Sequence, residues 1–507
     1  NTGTTSWQDD GTVMPDSIKL VIIENGVTEI GSSAFYGCES LASVTIPSSV
    51  KSIGESAFSK CRNLGSVVIP EGVTTIKERA FYFCTQLGSV TLPENLTSIE
   101  TYAFWGCGLT SVVIPDSVTF IGRRAFAEMP SLNSVTIGKG VTTIDEYAFT
   151  LSGLKSIVIG DNVTSIGEFA FSGCFDLESV TIGSGLTNVG KGVFYGCDKI
   201  TSIVIPDNVT EIGIYAFANC TNLNSVTMSK NVTSIKDGAF MYSGLKSVTI
   251  GENVTSIGDE AFNNCSKLES ITIGSGVTTV GTDAFKNCNN VKTVINGSSA
   301  ISNQLPAASE AILTYESDGN GGVKITKATL GDTVTSYDIP NEINGKPVTV
   351  IGSSAFMNNK NIASITIPEG VTTIEDRAFC DDASLASVTI PSSVNSIGEY
   401  AFSECSKLES VVIPEGVTII NECTFLNCTS LQSVTIPKSV TVIGGGAFNN
   451  CSSLESVTLP ENLTSIKYNA FFYCSKLTSI VIPDKVTEIE DCVFAYCNRS
   501  EEHTSEL

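Results

Sequence analysis

The sequence predicts a repeat solenoid that is mainly β, with about nineteen coils of 22 to 23 residues and short α or 3-10 turns. An Ala-Phe pair or a close variant recurs every 22 or 23 residues over about nine-tenths of the chain. A strict period of this length is typical of supersecondary units that stack on one another. Apolar residues also recur at fixed positions inside each unit, and a chain with 42% apolar and 16% charged residues does not have a disordered composition.

The first half of each unit predicts a β-strand followed by a turn. The pattern LxSVxIPxxVxxIGxxAFxxC is intact from Leu41 to Cys61. Leu41, Val44 and Ile46 follow an L-x-x-L-x-L spacing and include the β-branched residues that favour a strand. Pro47 ends this strand because proline has no N–H group to donate to a neighbouring strand.

The second half of the unit predicts another short strand and then an inward-facing turn of helix. Val50 and Ile53 indicate the strand, and a glycine follows it. Ala57, Phe58 and Cys61 have the spacing of one α or 3-10 turn that faces the core. Because a single coil cannot offset the entropy lost on ordering it, we expect the phenylalanines of successive coils to stack in one continuous core.

The period is interrupted once, after twelve repeats, and seven more repeats follow. The interruption contains two alternating apolar runs around Asp318–Gly322, which indicates a hairpin. The last nine residues, RSEEHTSEL, do not follow the repeat and resemble a translated sequencing adapter. We therefore predict array one at 1–296, a linker at 297–310, a β-hairpin cap at 311–347, array two at 348–498 and a non-native tail at 499–507.

Charge and hydropathy argue against two classes of partner. The net charge is −24, with 29 basic and 53 acidic residues. Nucleic acids and anionic membrane surfaces need a basic footprint on the protein. Apolar runs are far shorter than the ~18–20 residues of a membrane-spanning helix, so neither nucleic-acid binding nor direct membrane insertion is predicted for this sequence.

The seventeen cysteines predict a structural role. Fourteen follow the recurring phenylalanine by three residues, a spacing that matches no zinc motif. Buried free thiols are the favoured interpretation, and disulfides between neighbouring coils are the alternative. His503 in the tail is the only histidine, so no catalytic residue, metal or cofactor is predicted. The predicted structural ladder comprises Phe58, Phe81, Phe104, Cys38, Cys61, Cys84 and Cys107.

Candidate contacts with a partner flank the recurring phenylalanine, where residues vary between repeats. Aromatic and arginine side chains are the commonest hot-spot residues of protein interfaces. The alternative is that they only pack between coils. The outward Ser and Thr or Val residues of the first strand form a more uniform surface, which predicts weak multivalent contact. The candidate contacts are Tyr36, Tyr82, Trp105, Arg123, Arg124, Tyr195, Tyr215, Tyr242 and Tyr473.

The repeat core V-T-x-I-G-x-x-A-F-x-x-C resembles that of the BspA-type leucine-rich repeat proteins. The resemblance implies right-handed leucine-rich-repeat coils. Members of this family are mostly secreted or surface-exposed adhesins of host-associated bacteria and some anaerobic protists. The resemblance therefore implies a non-enzymatic protein-binding or adhesion protein that is extracellular or on the cell surface. Its partners would be host matrix or cell-surface proteins, bound multivalently through the solenoid surface, and its export signal would lie outside this sequence.

Two other functions stay open at the sequence level. An intracellular leucine-rich-repeat scaffold would have reduced thiols and one protein partner. A more remote alternative is an ice-binding-type surface made by the Ser and Thr rows of the first strands. Val68, Val113 and similar valines interrupt those rows and count against it.

Overall fold

The computed structural model describes residues 17–497, so the predicted tail at 499–507 lies outside the described residues. Contacts divide the chain into two units. In the described range, unit 1 comprises 17–270, 276–290 and 303–306, and unit 2 comprises 271–275, 291–302 and 307–497. Strand Ser270–Ile273 and the 3-10 helix Ser299–Gln304 have residues in both units.

Each coil of unit 1 contributes two short strands, and the mainly β repeat solenoid predicted from the sequence is confirmed. The first strands are Leu20–Ile22, Ser43–Thr45, Ser66–Val68, Ser89–Thr91, Ser111–Val113, Ser134–Thr136, Ser156–Ile159, Ser179–Ile182, Ser202–Val204, Ser225–Thr227 and Ser247–Ile250. The second strands are Glu29–Ile30, Ser52–Ile53, Thr75–Ile76, Ser98–Ile99, Phe120–Ile121, Thr143–Ile144, Ser165–Ile166, Asn188–Val189, Glu211–Ile212, Ser234–Ile235, Ser256–Ile257 and Thr279–Val280.

Strands of neighbouring coils pair in parallel, one repeat apart. The second strands form a ladder of five from Thr75–Ile76 to Ser165–Ile166 and another of five from Asn188–Val189 to Thr279–Val280. From the third coil to the tenth, the first strands pair two by two, as in Val68 opposite Thr91. In each of these pairs one coil exposes Val and the next exposes Thr, so the structural period there is two coils.

The segment around the recurring phenylalanine is a series of turns, where the sequence predicted a turn of helix. The N–H groups of Ala57, Ser59 and Cys61 donate to carbonyls three residues earlier. Those of Ser56, Phe58 and Lys60 donate instead to the next coil, at 2.7 to 2.9 Å. Because every second N–H leaves the coil, a continuous helix cannot form, and the segment hydrogen-bonds to its neighbour as a strand would.

The recurring phenylalanines form the centre of each unit. In unit 1, rings of successive coils from Phe35 to Phe285 lie 5.1 to 5.6 Å apart and nearly parallel. In unit 2, those from Phe356 to Phe494 lie 5.2 to 5.6 Å apart. Most are fully buried, which concentrates the apolar area that stabilises each coil on its neighbours.

Unit 2 begins with longer strands that continue into coils. Its strands are Thr293–Asn296, Ala311–Ser317, Val323–Leu330, Ser336–Asp338, Glu342–Ile343, Lys346–Ile351, Ser364–Thr366, Thr373–Ile374, Ser387–Thr389, Ser396–Ile397, Ser410–Val412, Ile419–Ile420, Ser433–Thr435, Val442–Ile443, Ser456–Val457, Ser465–Ile466 and Glu488–Ile489. Ala311–Ser317 and Val323–Leu330 form an antiparallel hairpin. The second strand of this hairpin pairs in parallel with Lys346–Ile351, which pairs with Thr373–Ile374 of the next coil. The residues predicted as a cap therefore share a sheet with the coils that follow.

Candidate binding surface

The turn edge is the surface formed by the residues from three before to four after each recurring phenylalanine. In all nineteen repeats the residues two before and two after that phenylalanine have φ between +51° and +73°. Glycine occupies 7 of these 38 positions, and other residues occupy 31. Positive φ costs a residue with a Cβ about 1–2 kcal/mol. The turns therefore hold many large side chains in a backbone conformation that favours glycine.

Six successive coils of the turn edge in unit 1 carry a series of ring–ring and ring–cation contacts, from Phe83 to Tyr195. The ring centres of Phe83 and Tyr82 lie 5.6 and 4.7 Å from that of Trp105, on which both rings stack. Tyr82 also meets Tyr102 edge to face, with 6.1 Å between the ring centres. We call this series, with the cations that contact it, the aromatic–arginine strip. Its members are Arg62, Arg79, Tyr82, Phe83, Tyr102, Trp105, Arg123, Arg124, Tyr147, Phe169, Lys191 and Tyr195.

The series continues through a guanidinium group. Arg124 lies between Tyr102 and Tyr147, at 6.0 and 4.9 Å from the two ring centres. Tyr147 stacks on Phe169 at 5.5 Å, and Phe169 meets Tyr195 at 6.2 Å. The contacts join side chains of different coils, so each ring position is fixed by its neighbours.

Arginine is concentrated in the strip. The sequence has six arginines, and four of them lie between residues 62 and 124. Every arginine that the structure describes contacts an aromatic ring, the fifth being Arg377 over Tyr400 at 5.2 Å. Trp105 is the only tryptophan in the described range. The hot-spot residue types thus gather on one part of one edge.

Three of the strip arginines have an acidic partner, and Arg124 does not. Arg62, Arg79 and Arg123 form exposed ion pairs with glutamates at 3.2, 2.6 and 3.4 Å. Arg124 has no ion pair within the described residues, and its buried Nε atom has no hydrogen-bond partner. A guanidinium without an acidic partner has N–H donors that the carboxylate of a ligand can use.

The strip contains five of the nine candidate contacts predicted from the sequence: Tyr82, Trp105, Arg123, Arg124 and Tyr195. The others lie elsewhere on the turn edge. Tyr36 is exposed beneath Lys60, Tyr215 covers Gly238, Tyr242 is exposed, and Tyr473 stacks on Tyr496 at 4.7 Å. The prediction omitted Tyr102 and Tyr147, which link the strip, although both stand two residues before the recurring phenylalanine.

The exposed face of the first strands is chemically simpler. From the second coil to the tenth of unit 1 its outward residues are Ser and either Thr or Val. Val68, Val113, Val158 and Val204 are 63 to 67% exposed. This strand face offers short hydroxyl and aliphatic groups, and lacks the large side chains that anchor most protein interfaces.

The recurring cysteines form a buried column beside the phenylalanines. Thirteen Sγ atoms donate to the carbonyl of a phenylalanine in the preceding coil at 3.0 to 3.3 Å. All seventeen cysteines are free. Burial raises the pKa values of thiols such as those of Cys197 and Cys428 well above the usual value of a cysteine thiol. Within residues 17–497 no three His, Cys, Asp or Glu side chains lie close enough together to hold a metal ion.

One repeat of unit 2 has a carboxylate in the cysteine column. Asp382 is fully buried, and its Oδ1 atom accepts the Asn359 N–H at 2.6 Å. Its Oδ2 atom is buried without a partner. Burial raises the pKa of Asp382 to about 8, with a smaller contribution from Asp381 and an opposing one from the Asn359 N–H.

The repeats match a family model over most of the chain. The model describes the BspA type Leucine rich repeat region (6 copies), and it matches residues 14–133, 97–211, 187–305, 332–441 and 372–501. The chain belongs to the BspA-type leucine-rich repeat family. This BspA-type assignment confirms the resemblance seen in the repeat core. Among curated proteins none matches the sequence.

Several solved structures of leucine-rich repeat proteins are similar to the chain. A leucine-rich repeat protein from Bacteroides ovatus is 24% identical over 96% of this chain and 97% of its own, with a TM-score of 0.36. The T. pallidum leucine rich repeat protein is 30% identical over 37% of this chain and 89% of its own, with a TM-score of 0.35. A leucine rich cell surface protein from Faecalibacterium prausnitzii is 27% identical over 81% of this chain and 90% of its own, with a TM-score of 0.29. The family assignment rests on the repeat match, because all three TM-scores lie below 0.5.

Leucine-rich repeat proteins are typically binding proteins without catalytic activity, and this family suggests a role in protein interaction. Within residues 17–497 no helix has the length and apolar character needed to cross a membrane.

Proposed function

We propose that this protein is a non-enzymatic adhesion protein that binds host matrix or cell-surface proteins, extracellularly or on a cell surface. The observation that supports it most is the aromatic–arginine strip. Trp, Tyr and Arg side chains bury large areas at little cost in conformational entropy when their neighbours already hold them in place. The strip provides all three, in contact with one another, along a surface of folded coils.

Backbone conformation supports the same proposal. Arg79, Tyr102, Arg124, Tyr147 and Phe169 occupy the position two residues before the recurring phenylalanine in five successive coils, with φ between +51° and +56°. Glycine stands at this position in three other coils and is the residue with the lowest conformational cost there. Large side chains in strained backbone conformations are commonly associated with functional sites.

The family resemblance supports the extracellular part of the proposal. A multivalent mode fits the repeated strand face, where each coil presents the same Ser and Thr or Val groups and no single pocket. Weak contacts of that kind add to the affinity of the strip when both bind one large partner.

The experiment measures binding of the purified protein to immobilised collagen, laminin, fibronectin and, as a reference, albumin. We expect saturable binding to at least one matrix protein and none to albumin. Trp105→Ala is expected to weaken that binding at least tenfold, because it removes the centre of the three-ring cluster. Tyr468→Ala, at an exposed tyrosine on the turn edge of unit 2 that is not a candidate contact, is the matched control, and thermal melting verifies that both variants fold. Absence of saturable binding to every matrix protein would contradict the proposal.

One observation favours a second candidate function, an intracellular scaffold for a protein partner. All seventeen thiols are free, whereas secreted proteins in oxidising surroundings commonly form disulfides. Burial and raised pKa values protect most of these thiols, so free cysteines are also compatible with export. The coding sequence upstream of residue 1 distinguishes the two: an export signal there supports adhesion, and a natural start without one supports the scaffold.

A further inference from the structure

We infer that the aromatic–arginine strip recognises an acidic side chain flanked by apolar residues in an extended segment of a partner protein. Arg124 is the residue that binds the carboxylate. This inference rests on the proposed function, because it names the chemistry of the protein partner that the strip would bind.

The position of Arg124 is fixed before any ligand binds. Its backbone N–H donates to the Glu146 carbonyl at 3.0 Å, and its φ is +54°. Its guanidinium carbon lies 4.9 Å from the Tyr147 ring centre and 6.0 Å from that of Tyr102. Two rings contact the guanidinium, and no acidic side chain among the described residues forms an ion pair with its N–H donors. A guanidinium edge matches a carboxylate with two parallel hydrogen bonds.

Charge compensation distinguishes Arg124 from its neighbours. Arg79 pairs with Glu78, and Arg123 pairs with Glu146. Neither ion pair includes Arg124, whose Nε is buried and has no hydrogen-bond partner. A carboxylate brought by a partner would supply the missing counter-charge in a partly desolvated place, where a charged hydrogen bond is stronger than in water.

Apolar side chains are exposed one and two coils away from Arg124. Leu151 is 45% exposed and Phe175 is 56% exposed. Both border Gly173, where an added methyl group would lie 2.6 Å from Leu151 Cδ2 and 3.7 Å from Phe175 Cζ. With the half-buried rings of Phe169 and Tyr195 they place exposed apolar groups in the coils that follow Arg124, and such groups commonly mark binding sites.

The surrounding charges favour a single carboxylate over a polyanion. On the turn edge of the seven coils that carry strip residues, from Phe58 to Phe194, there are six basic and six acidic side chains. A sulfated glycan or a nucleic acid presents a series of anions and would be repelled by the acidic side chains of the same edge. An isolated Asp or Glu with aliphatic or aromatic neighbours avoids that repulsion.

The length of the strip fits a short extended segment. The five successive steps from Phe81 to Phe194 measure 5.3 to 5.6 Å each, about 27 Å in all. An extended chain spans about 3.3 Å per residue, so roughly eight residues match this length. A twelve-residue peptide is therefore long enough to occupy the strip.

The test selects a phage-displayed library of random twelve-residue peptides on the wild-type protein and measures the affinity of the enriched peptides. We expect enriched sequences with Asp or Glu next to Leu, Ile or Phe. Arg124→Gln should weaken their binding at least tenfold, and Leu151→Ser should weaken it about threefold. Replacing the Asp or Glu of the peptide with Asn or Gln should weaken its binding to the wild-type protein. The same replacement should have little further effect on its binding to the Arg124→Gln variant, as expected for two groups in direct contact.

Arg377→Gln is the matched control. Arg377 occupies the same repeat position in unit 2, has φ of +55° and lies over one ring, that of Tyr400. Its substitution should leave peptide binding unchanged. Thermal melting of both variants separates lost binding from lost folding.

Three outcomes would overturn the inference: enriched peptides without acidic residues, affinity unaffected by Arg124→Gln, or no enrichment at all. Heparin binding that depends on Arg124, without peptide binding, would assign the site to a sulfated glycan instead. Saturable binding to a matrix protein that Arg124→Gln leaves unchanged would overturn this inference and leave the proposed function standing.

Discussion

The thiol of Cys61 donates a hydrogen bond of 3.1 Å to the carbonyl oxygen of Phe35, which lies in the preceding coil. The same carbonyl accepts the backbone N–H of Cys38 at 3.2 Å. A thiol is small enough to be buried beside the phenylalanine stack and still supplies a donor to a carbonyl that points between coils. The cysteine column therefore stabilises the stacking of coils, and its sulfur atoms already have hydrogen-bond partners.

Thiol reactivity should follow this burial. Cys492 is exposed, Cys423 and Cys497 are partly exposed, and the other fourteen cysteines are buried. In the native protein we expect Ellman's reagent to modify one thiol quickly, two slowly and the rest only after unfolding, since reaction needs an accessible thiolate. The control is the same assay in guanidinium chloride, where all seventeen should react. Fast modification of five or more native thiols would contradict the structure.

The buried carboxyl of Asp382 should make the stability of unit 2 depend on pH. Its pKa is raised to about 8 in the folded state, compared with about 3.9 in an unfolded chain. The folded state therefore keeps the proton that the unfolded state loses. The stabilisation from this proton is complete below about pH 4, decreases as the pH rises towards 8 and is absent above that. The free energy of unfolding changes by a few kcal/mol over this range.

Asp382→Asn tests this linkage because it keeps the shape of the side chain and removes its titration. We expect the variant and the wild type to melt at similar temperatures at pH 4, and the variant to melt at a higher temperature at pH 9. The comparison uses circular dichroism at pH 4, 6, 8 and 9, with Asp381→Asn as the neighbouring control. Parallel pH profiles for wild type and Asp382→Asn would show that this carboxyl is not the cause.

The stack of phenylalanines predicts a difference between central and terminal coils. Phe217 is fully buried and has a ring on each side, at 5.6 and 5.4 Å. Phe217→Ala should cost about 3–5 kcal/mol, the usual cost of removing a buried ring. Phe494 is only partly buried and stacks on Phe471 alone among the described rings. Phe494→Ala should cost about 1–2 kcal/mol and increase amide exchange mainly in the last coil; equal losses at the two sites would contradict a stack of nearest-neighbour contacts.

The sequence was sufficient for the fold because the period and the inward residues repeat. Leu41, Val44, Phe58 and Cys61 have the same environment in coil after coil, so one interpretation applies nineteen times. The predicted helical turn failed for a physical reason. Amphipathic spacing shows which residues face inward, and it does not show that alternate N–H groups such as that of Phe58 donate to the next coil.

The strip was only partly predictable. Tyr82 and Trp105 were identified from residue type and position, but their stacking depends on which neighbours occur one coil away. Tyr102 and Tyr147 were missed, although Arg124 and Tyr215 at the same repeat position were included, because the sequence does not show which of these side chains contact one another across coils. The two-coil period was present as the alternation of Thr and Val, and its effect on strand pairing needed the structure.

The positive φ positions predict that glycine will be favourable where it is usually harmful. Glu128 is exposed on the turn edge with φ of +55°, and glycine stands at the same repeat position in Gly106 and Gly173. Glu128→Gly relieves about 1–2 kcal/mol of strain and loses up to about 1 kcal/mol through the greater freedom of the unfolded chain. We expect it to be neutral or to stabilise by up to about 1 kcal/mol. Glu128→Val should destabilise by at least about 1 kcal/mol, because a β-branched residue fits this conformation poorly.

The matched pair is made at Glu71, which is also exposed on a turn but is not among the positions with positive φ. There Glu71→Gly should destabilise the protein by up to about 1 kcal/mol, and Glu71→Val should have little effect. The valine variant is therefore expected to be the more stable of the two at position 71, and the glycine variant the more stable at position 128. Urea denaturation of the four variants measures the changes. If glycine were as harmful at position 128 as at position 71, the left-handed conformation of the turn edge, and with it the strain argument for the strip, would be wrong.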